Sequence, residues 1–284
     1  MNDLQLHEKT VLIDPAAFPV NVFLGRRTLG LHWHEHYEMI YVTRGEAVFR
    51  IGQQRHQAGP GDILFVNGGE LHEGSSLTHA EPLEYYAVVY DPALFEQIDD
   101  PHYREITVPL REGRWSFPPK VSPGADAYPA VRRYLEGLIE ECSMKQTAYE
   151  AGVKSLLALL LTVLARHGLL SETGPGRPDE RTLKRFMPLF DYIDAHYGCR
   201  ITVEEAARLV CLSPYHFCKL FKRATGQTFV SFVNERRVNK AEELLRSTDL
   251  PVTEIAERVG FGSVNYFDRV FKKVKRCPPS ARRK

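Results

Sequence analysis

The segment EEAARLVCLSPYHFCKLFKRATGQTF, residues 204–229, reads as two short amphipathic helices joined by a turn. Val203, Ala206, Ala207 and Val210 form one apolar stripe at helical spacing, interrupted by Cys211-Leu212-Ser213-Pro214. Ser213 suits a helix N-cap, and Pro214 suits the first helical position, where its missing N–H leaves nothing unsatisfied. Phe217, Leu220, Phe221 and Ala224 form a second stripe, closed by Gly226 as C-cap. The unit returns about 50 residues later. Val252, Ile255, Ala256 and Val259 repeat the first stripe, Gly260-Phe261-Gly262 the turn, and Phe267, Val270, Phe271 and Val274 the second. This is the helix-turn-helix pattern, and two copies with basic second helices are far more specific than one. Residues 229–247 between the copies hold no Gly or Pro and read as one helix. Its length is about 28 Å at ~1.5 Å per residue, close to the ~34 Å repeat of a B-DNA groove. One stiff connector can therefore hold two reading helices in successive turns of one groove.

Charge follows the same division. Residues 177–284 carry 22 Lys+Arg against 13 Asp+Glu, a balance of +9, and residues 1–176 a balance of −8. The net +1 of the 284-residue chain hides this asymmetry. A basic C-terminal part fits double-stranded DNA, because phosphate neutralisation supplies most non-specific affinity. With 43% hydrophobic and 26% charged residues the chain is not wholly disordered. Its longest apolar run, residues 156–165, is half of the ~20 residues a bilayer span needs, so no membrane role is expected. MNDLQLHEKT at the start has no basic and apolar leader pattern. Five scattered cysteines without a CxxC pair suit a reducing, cytoplasmic location.

Residues 10–92 hold short β-rich runs (EMIYVTR, AVFRI, DILFV, LEYYAVVY) separated by Gly, Pro, Asn and Asp turns, which suggests a β-sandwich or small barrel. The period then changes. Val131, Tyr134, Leu135, Leu138, Ile139 and Cys142, and again Val153, Leu156, Leu157, Leu160, Leu161 and Leu164, mark two amphipathic helices in residues 126–168. Leu159 and Val163 widen the second helix's apolar face, which would serve core packing or a dimer seam equally well. The expected class is multidomain α+β. Residues 1–122 form a ligand-sensing β-barrel, 123–170 two dimerisation helices, 171–179 a Gly/Pro-rich linker, and 180–284 an all-α domain with two helix-turn-helix units.

The C-terminal motifs, with NERRVNKAEELL (residues 234–245) and VTEIAERVGFGSVNYFDRVFKK (252–273), resemble the AraC/XylS family of bacterial transcription regulators. The resemblance covers about residues 185–284. One departure is Arg276-Cys277-Pro278-Pro279, where the family usually has Gly before its Ser/Thr-Pro element. The resemblance implies that the second helix of each unit enters the major groove. It thereby nominates Tyr215, His216, Lys219, Lys222 and Arg223, and Ser263, Val264, Asn265, Asp268, Arg269, Lys272 and Lys273, as DNA-facing residues. Arg269 can fork onto guanine and Asn265 onto adenine, while Lys222 and Lys273 suit phosphates. The tail Arg282-Arg283-Lys284 reads as a phosphate contact or a solvated end.

His32, His34 and His36 alternate through HWHEHYEMI with Glu38 next in phase, and His72 follows at the end of another strand. In a strand those alternate positions share a face. His32, His34, Glu38 and His72 resemble the metal set of the cupin barrel, with His36 outside the pattern; such a set suits Zn, Ni, Mn or Fe. The same residues could instead line a polar pocket for a small-molecule effector, with Tyr41 and Tyr86 among its apolar walls. Alternation places Trp33, Tyr37 and Tyr41 on the face opposite the histidines. A sugar is the leading effector, since aromatic rings often stack on sugars and the family's sensor domains often bind them. Three functions follow. One is an effector-controlled, homodimeric regulator, an activator that contacts RNA polymerase. The second is a metal-sensing regulator, and the third a metal-dependent cupin enzyme fused to a DNA-binding domain. No separate general base or nucleophile constellation accompanies the metal-like set, so the chain is expected not to be an enzyme.

Overall fold

A computed structural model describes residues 18–26, 28–77, 82–95, 100–172, 180–275 and 277–283, with backbone alone for 180–184. The chain divides into two compact units, Met1–Glu180 and Arg181–Lys284.

The first unit is built on antiparallel strands. They run β1 (Val20–Gly25), β2 (Leu29–His32), β3 (Tyr37–Arg44), β4 (Ala47–Ile51), β5 (Gln54–Ala58), β6 (Ile63–Val66), β7 (His72–Ser76) and β8 (Glu84–Tyr90). Helix α1 (Pro101–Arg111), short strands β9 (Trp115–Ser116) and β10 (Lys120–Val121), helices α2 (Tyr128–Met144) and α3 (Tyr149–Arg166), and β11 (Ser171–Glu172) follow. One sheet has the order β1-β8-β3-β6-β10 and a second the order β2-β7-β4-β5. Their inner faces meet through Ile40, Val42, Leu64, Val66, Tyr85 and Ala87 from the first, and Leu29, Ala47, Phe49 and Ile51 from the second. Strand alternation sends Tyr37, Met39, Tyr41, Phe65, Val88 and Tyr90 to the other side of the first sheet. There they pack on Val131, Leu135 and Leu138 of α2 and Val153, Leu157, Leu160, Leu161 and Leu164 of α3. A sheet covered on both faces explains why β3 is buried from Tyr37 to Val42 without interruption.

Two expectations change here. Val163 is 9% exposed and belongs to this helix–sheet core, whereas Leu159 is 45% exposed. Although the two are one turn apart on neighbouring positions of α3, the surface of Val163 is already spent on the core of its own unit, so Val163 is removed from the seam. The expected linker also begins later. Ser171–Glu172 pairs with Trp115–Ser116 as a two-stranded ladder, and residues 173–179 lie outside the described residues.

The second unit comprises α4 (Glu180–His196), α5 (Val203–Leu209), α6 (Pro214–Thr225), α7 (Phe229–Ser247), α8 (Val252–Arg258) and α9 (Val264–Lys275). The start and stop signals act as the residues dictate. Thr202 and Glu205 form a reciprocal capping box on α5, the Ser213 side chain accepts from the His216 N–H at the start of α6, and Gly226 ends α6 with φ 75°. Phe186 and Phe190 of α4 pack on Phe217 and Phe221 of α6 and Phe232 of α7. Val238, Ala241 and Leu245 of α7 form the other core with Ile255, Ala256, Val259, Phe267 and Phe271. One helix thus supplies packing surface to both helix-turn-helix pairs. Gly260 (φ 88°) is obligatory for a second reason: a Cβ there would lie 2.8 Å from the Tyr197 carbonyl oxygen. Arg237 completes this junction, donating to the Tyr197 and Cys199 carbonyls with its guanidinium 5.7 Å from the Phe261 ring centre.

Candidate functional site

In the first unit His32, His34, Glu38 and His72 come together, their ligand atoms all within 4.8 Å of one another. They arrive by a route alternation does not describe. His32 ends β2 in one sheet, Glu38 lies in β3 of the other, and His34 sits on the corner between them. The Gly69 N–H donates to the His34 carbonyl at 2.7 Å and holds this corner down. Gly68 allows the approach, since a Cβ there would sit 2.1 Å from the Glu35 carbonyl oxygen. His72 enters from β7, directly opposite His32 in the ladder. The bend breaks the two-residue period, so His36 leaves the cluster and lies 3.9 Å from Asp91. The turn residues Asn67-Gly68-Gly69 thus clamp His34, a role that no local sequence signal marks.

The orientation of the imidazoles is the chemically informative feature. Nδ1 of His32, His34 and His72 donates to the carbonyls of Gly30, His36 and Glu70 at 2.8, 2.9 and 2.7 Å. Each ring is then left with Nε2 turned to the cluster. Nε2 of His34 and of His72 both lie 2.9 Å from Oε2 of Glu38, and Nε2 of His32 has no hydrogen-bond partner among the described residues. Imidazole nitrogens set by backbone carbonyls and converging on a carboxylate are the arrangement in which a divalent cation satisfies all four groups. The donor set therefore fits a metal. Burial alone would raise the Glu38 carboxyl, but His72 and His34 outweigh it and hold it well below the usual carboxylate range. Burial, and then His72, push His32 down to about 3.

Tyr41 and Tyr86, expected as walls of the same pocket, do not join this cluster. Tyr41 is three residues from Glu38 and so of opposite parity, and Tyr86 faces Tyr41 across the β3–β8 ladder. Both pack on the helix side, where the Tyr41 hydroxyl donates to Oε1 of Glu136 in α2 at 2.8 Å. Trp33 and Tyr37 are buried, and the Tyr37 hydroxyl donates to the Leu110 carbonyl.

In the second unit, α6 and α9 carry the sequence-nominated residues on their outer faces. Tyr215, His216, Lys219, Lys222 and Arg223 are exposed on α6, and Val264, Asn265, Arg269, Lys272 and Lys273 on α9. Four details refine the list. The Ser263 hydroxyl accepts from the Tyr266 N–H at the start of α9. His216 Nδ1 lies 2.8 Å from the Ser213 hydroxyl. Asp268 holds Lys272 at 2.6 Å. The tail is not a solvated end: Arg282 reaches Glu242 at 3.2 Å and Arg283 donates to the Leu250 carbonyl. Lys284 lies outside the described residues. Tyr266, absent from the nominated set, sits between Asn265 and the base-reading candidate Arg269.

A strand-built unit with a buried polar centre, followed by paired helix-turn-helix units with basic outer helices, defines a two-domain regulator. Comparison with known proteins agrees. The AraC-like ligand binding domain matches residues 24–161 and a helix-turn-helix domain matches residues 206–284. The chain is 26% identical over 261 residues to the uncharacterized HTH-type transcriptional regulator YdeC of Bacillus subtilis (strain 168), covering 89% of this chain and 86% of that protein. It is 27% identical over 247 residues to the arabinose operon regulatory protein of Salmonella typhimurium, covering 86% and 82%. It is 25% identical over 269 residues to the HTH-type transcriptional activator RhaS of Klebsiella pneumoniae (strain 342), covering 93% and 88%. The chain belongs to the AraC/XylS family of DNA-binding transcription regulators, with a ligand-binding N-terminal domain. No helix among the described residues is long and apolar enough to cross a membrane.

Proposed function

We propose that this chain is a homodimeric, metabolite-controlled transcription activator whose effector domain holds a divalent ion at His32, His34, Glu38 and His72. The observation that carries the reading is the convergence of three carbonyl-oriented imidazoles and one carboxylate within 4.8 Å. A bound Zn, Ni, Mn or Fe ion would supply a Lewis-acidic anchor for an oxygen-rich effector. The carbonyls of Gly30, His36 and Glu70 would set the tautomers of the three imidazoles that hold it. A second reading keeps the same residues as direct polar contacts to a sugar without an ion; the similarity to an arabinose operon regulator favours a sugar as effector in either case. Activation is supported by the name of the RhaS relative, and contact to RNA polymerase would be its means. Control requires only that the effector bind the DNA-competent arrangement better than the other.

Metal analysis of the purified chain, followed by thermal-shift screening of sugars with and without chelator, tests the reading. Retained metal and a sugar shift that chelation abolishes support the ion-anchored form. A sugar shift that survives chelation supports the second reading, a shift with metal alone supports metal sensing, and turnover of a sugar would replace regulation by catalysis.

Two further results are expected. Leu159→Lys should dissociate the dimer in sedimentation at micromolar concentration with the sheet signal intact, while Val163→Lys should unfold the first unit, because it puts a charge into its core. A dimer unaffected by Leu159→Lys would move the seam off the exposed face of α3. Binding to duplex DNA should weaken steeply with salt, with a log–log slope of about −0.9 for each phosphate neutralised. Lys222→Ala and Lys273→Ala should each flatten that slope by about one. An unchanged slope would show that neither lysine meets phosphate.

A further inference from the structure

The second reading helix carries a built platform that the first lacks. The Arg269 guanidinium lies 5.3 Å from the centre of the Tyr266 ring, one turn earlier on the same face of α9. That ring is fixed at two places. Its hydroxyl accepts a 2.9 Å hydrogen bond from Nδ2 of Asn234, a buried residue of α7, and its ring centre lies 5.8 Å from that of Phe261, the two rings tilted by 57°. The brace therefore runs from the connecting helix, through the aromatic ring, to a guanidinium on the outer surface. In the repeat, the positions matching Tyr266 and Arg269 are His216 and Lys219. His216 is engaged with its own helix cap at Ser213, and a lysine is a point charge with no fork.

A long surface arginine loses much rotamer freedom when it forks onto a base edge. A ring that holds the guanidinium outward beforehand lessens that loss. Resting on the reading that α9 enters the major groove, we propose that Tyr266, braced by Asn234, is a positioning residue that preorganises Arg269 for guanine.

The test uses the full chain and a duplex enriched from a randomised DNA pool. Arg269→Ala first identifies the base pair at which preference is relaxed. Tyr266→Ala should lower affinity for the enriched duplex about three- to tenfold, and should relax preference at that same pair. Tyr266→Trp, which keeps a ring for the guanidinium but not the hydroxyl, should restore it in part. Tyr266→Phe, which removes only the hydroxyl, should give a smaller loss at the same pair, so the proposal stays testable if the alanine variant folds poorly. In the Arg269→Ala background, Tyr266→Ala should add no further loss. Equal weakening at every base pair, or additive losses in the double variant, overturns the positioning role and leaves α9 as the reader. If Arg269→Ala alone changes no base preference, the reading of α9 fails and the proposal with it.

Discussion

Removing the proposed divalent ion from the His32–His34–Glu38–His72 centre should lower the unfolding free energy of the first unit by about 4 kcal/mol, for an ion present at about a thousandfold its dissociation constant. The reason lies in the hydrogen bonds. With each Nδ1 committed to a carbonyl, Nε2 of His34 and of His72 both face one oxygen of Glu38, an approach that needs a cation or a shared proton between nitrogen and oxygen to be attractive. Burial alone would lower the His72 imidazole, but the Glu38 carboxylate outweighs it and raises it above its ordinary value. Protons thus replace the ion in part, and a buried charge pair is a weaker arrangement than a satisfied metal shell. His72→Ala removes the ligand from β7 and should reduce Zn affinity at least about a hundredfold, beyond the loss typical of outer-shell changes. Competition with a chromophoric chelator reads the affinity, and thermal unfolding followed by the sheet signal reads the stability. Identical unfolding with and without chelator, and no retained metal, would return the four residues to direct effector contacts.

The second large effect is expected at Glu242, which no motif singles out. Its carboxylate meets Lys275 at 2.6 Å, Arg282 at 3.2 Å and Arg246 at 3.4 Å, tying α9 and the tail to α7. Lys275, Arg282 and Glu242 are only 11%, 15% and 14% exposed. Glu242→Ala leaves half-enclosed cations unmatched and should cost about 3–5 kcal/mol, read from urea unfolding of the helical signal at pH 7. Burial would raise this carboxyl, yet Lys275, Arg246 and Arg282 prevail and lower it. A depressed folded pKa means that the contribution is present above the unfolded value of about 4.3 and is lost as pH falls through the lower folded one. The gap between native chain and variant should therefore be full at pH 7 and narrow in strong acid. A gap that does not change with pH would assign the loss to packing.

Local chemistry was sufficient for the second unit. Val203 to Ala224 and Val252 to Val274 repeat a 3.6-residue period, and Ser213, Pro214 and Gly226 mark its ends. The connector α7 spans Phe229–Ser247, as a run without Gly or Pro dictates. These signals act within a few residues of one another, where backbone geometry leaves few alternatives. Strand parity likewise separated Tyr37 and Tyr41 from Glu38 before any contact was known. The remaining features depend on which surface meets which. HWHEHYEMI reads as one alternating strand, but the chain turns from one sheet to the other at residues 33–36, so His36 departs while His34 stays; that bend is made by Gly68 and Gly69, over thirty residues away. Leu159 and Val163 look equivalent in a helical stripe, and the first sheet decides which is covered. Arg282 looks like a loose basic end until Glu242 is placed opposite it. The sequence by itself determined periods, caps and the inventory of donors, because those are properties of neighbouring residues. Only the tertiary structure decided which donors converge and which faces close, because convergence depends on long-range approaches set by packing.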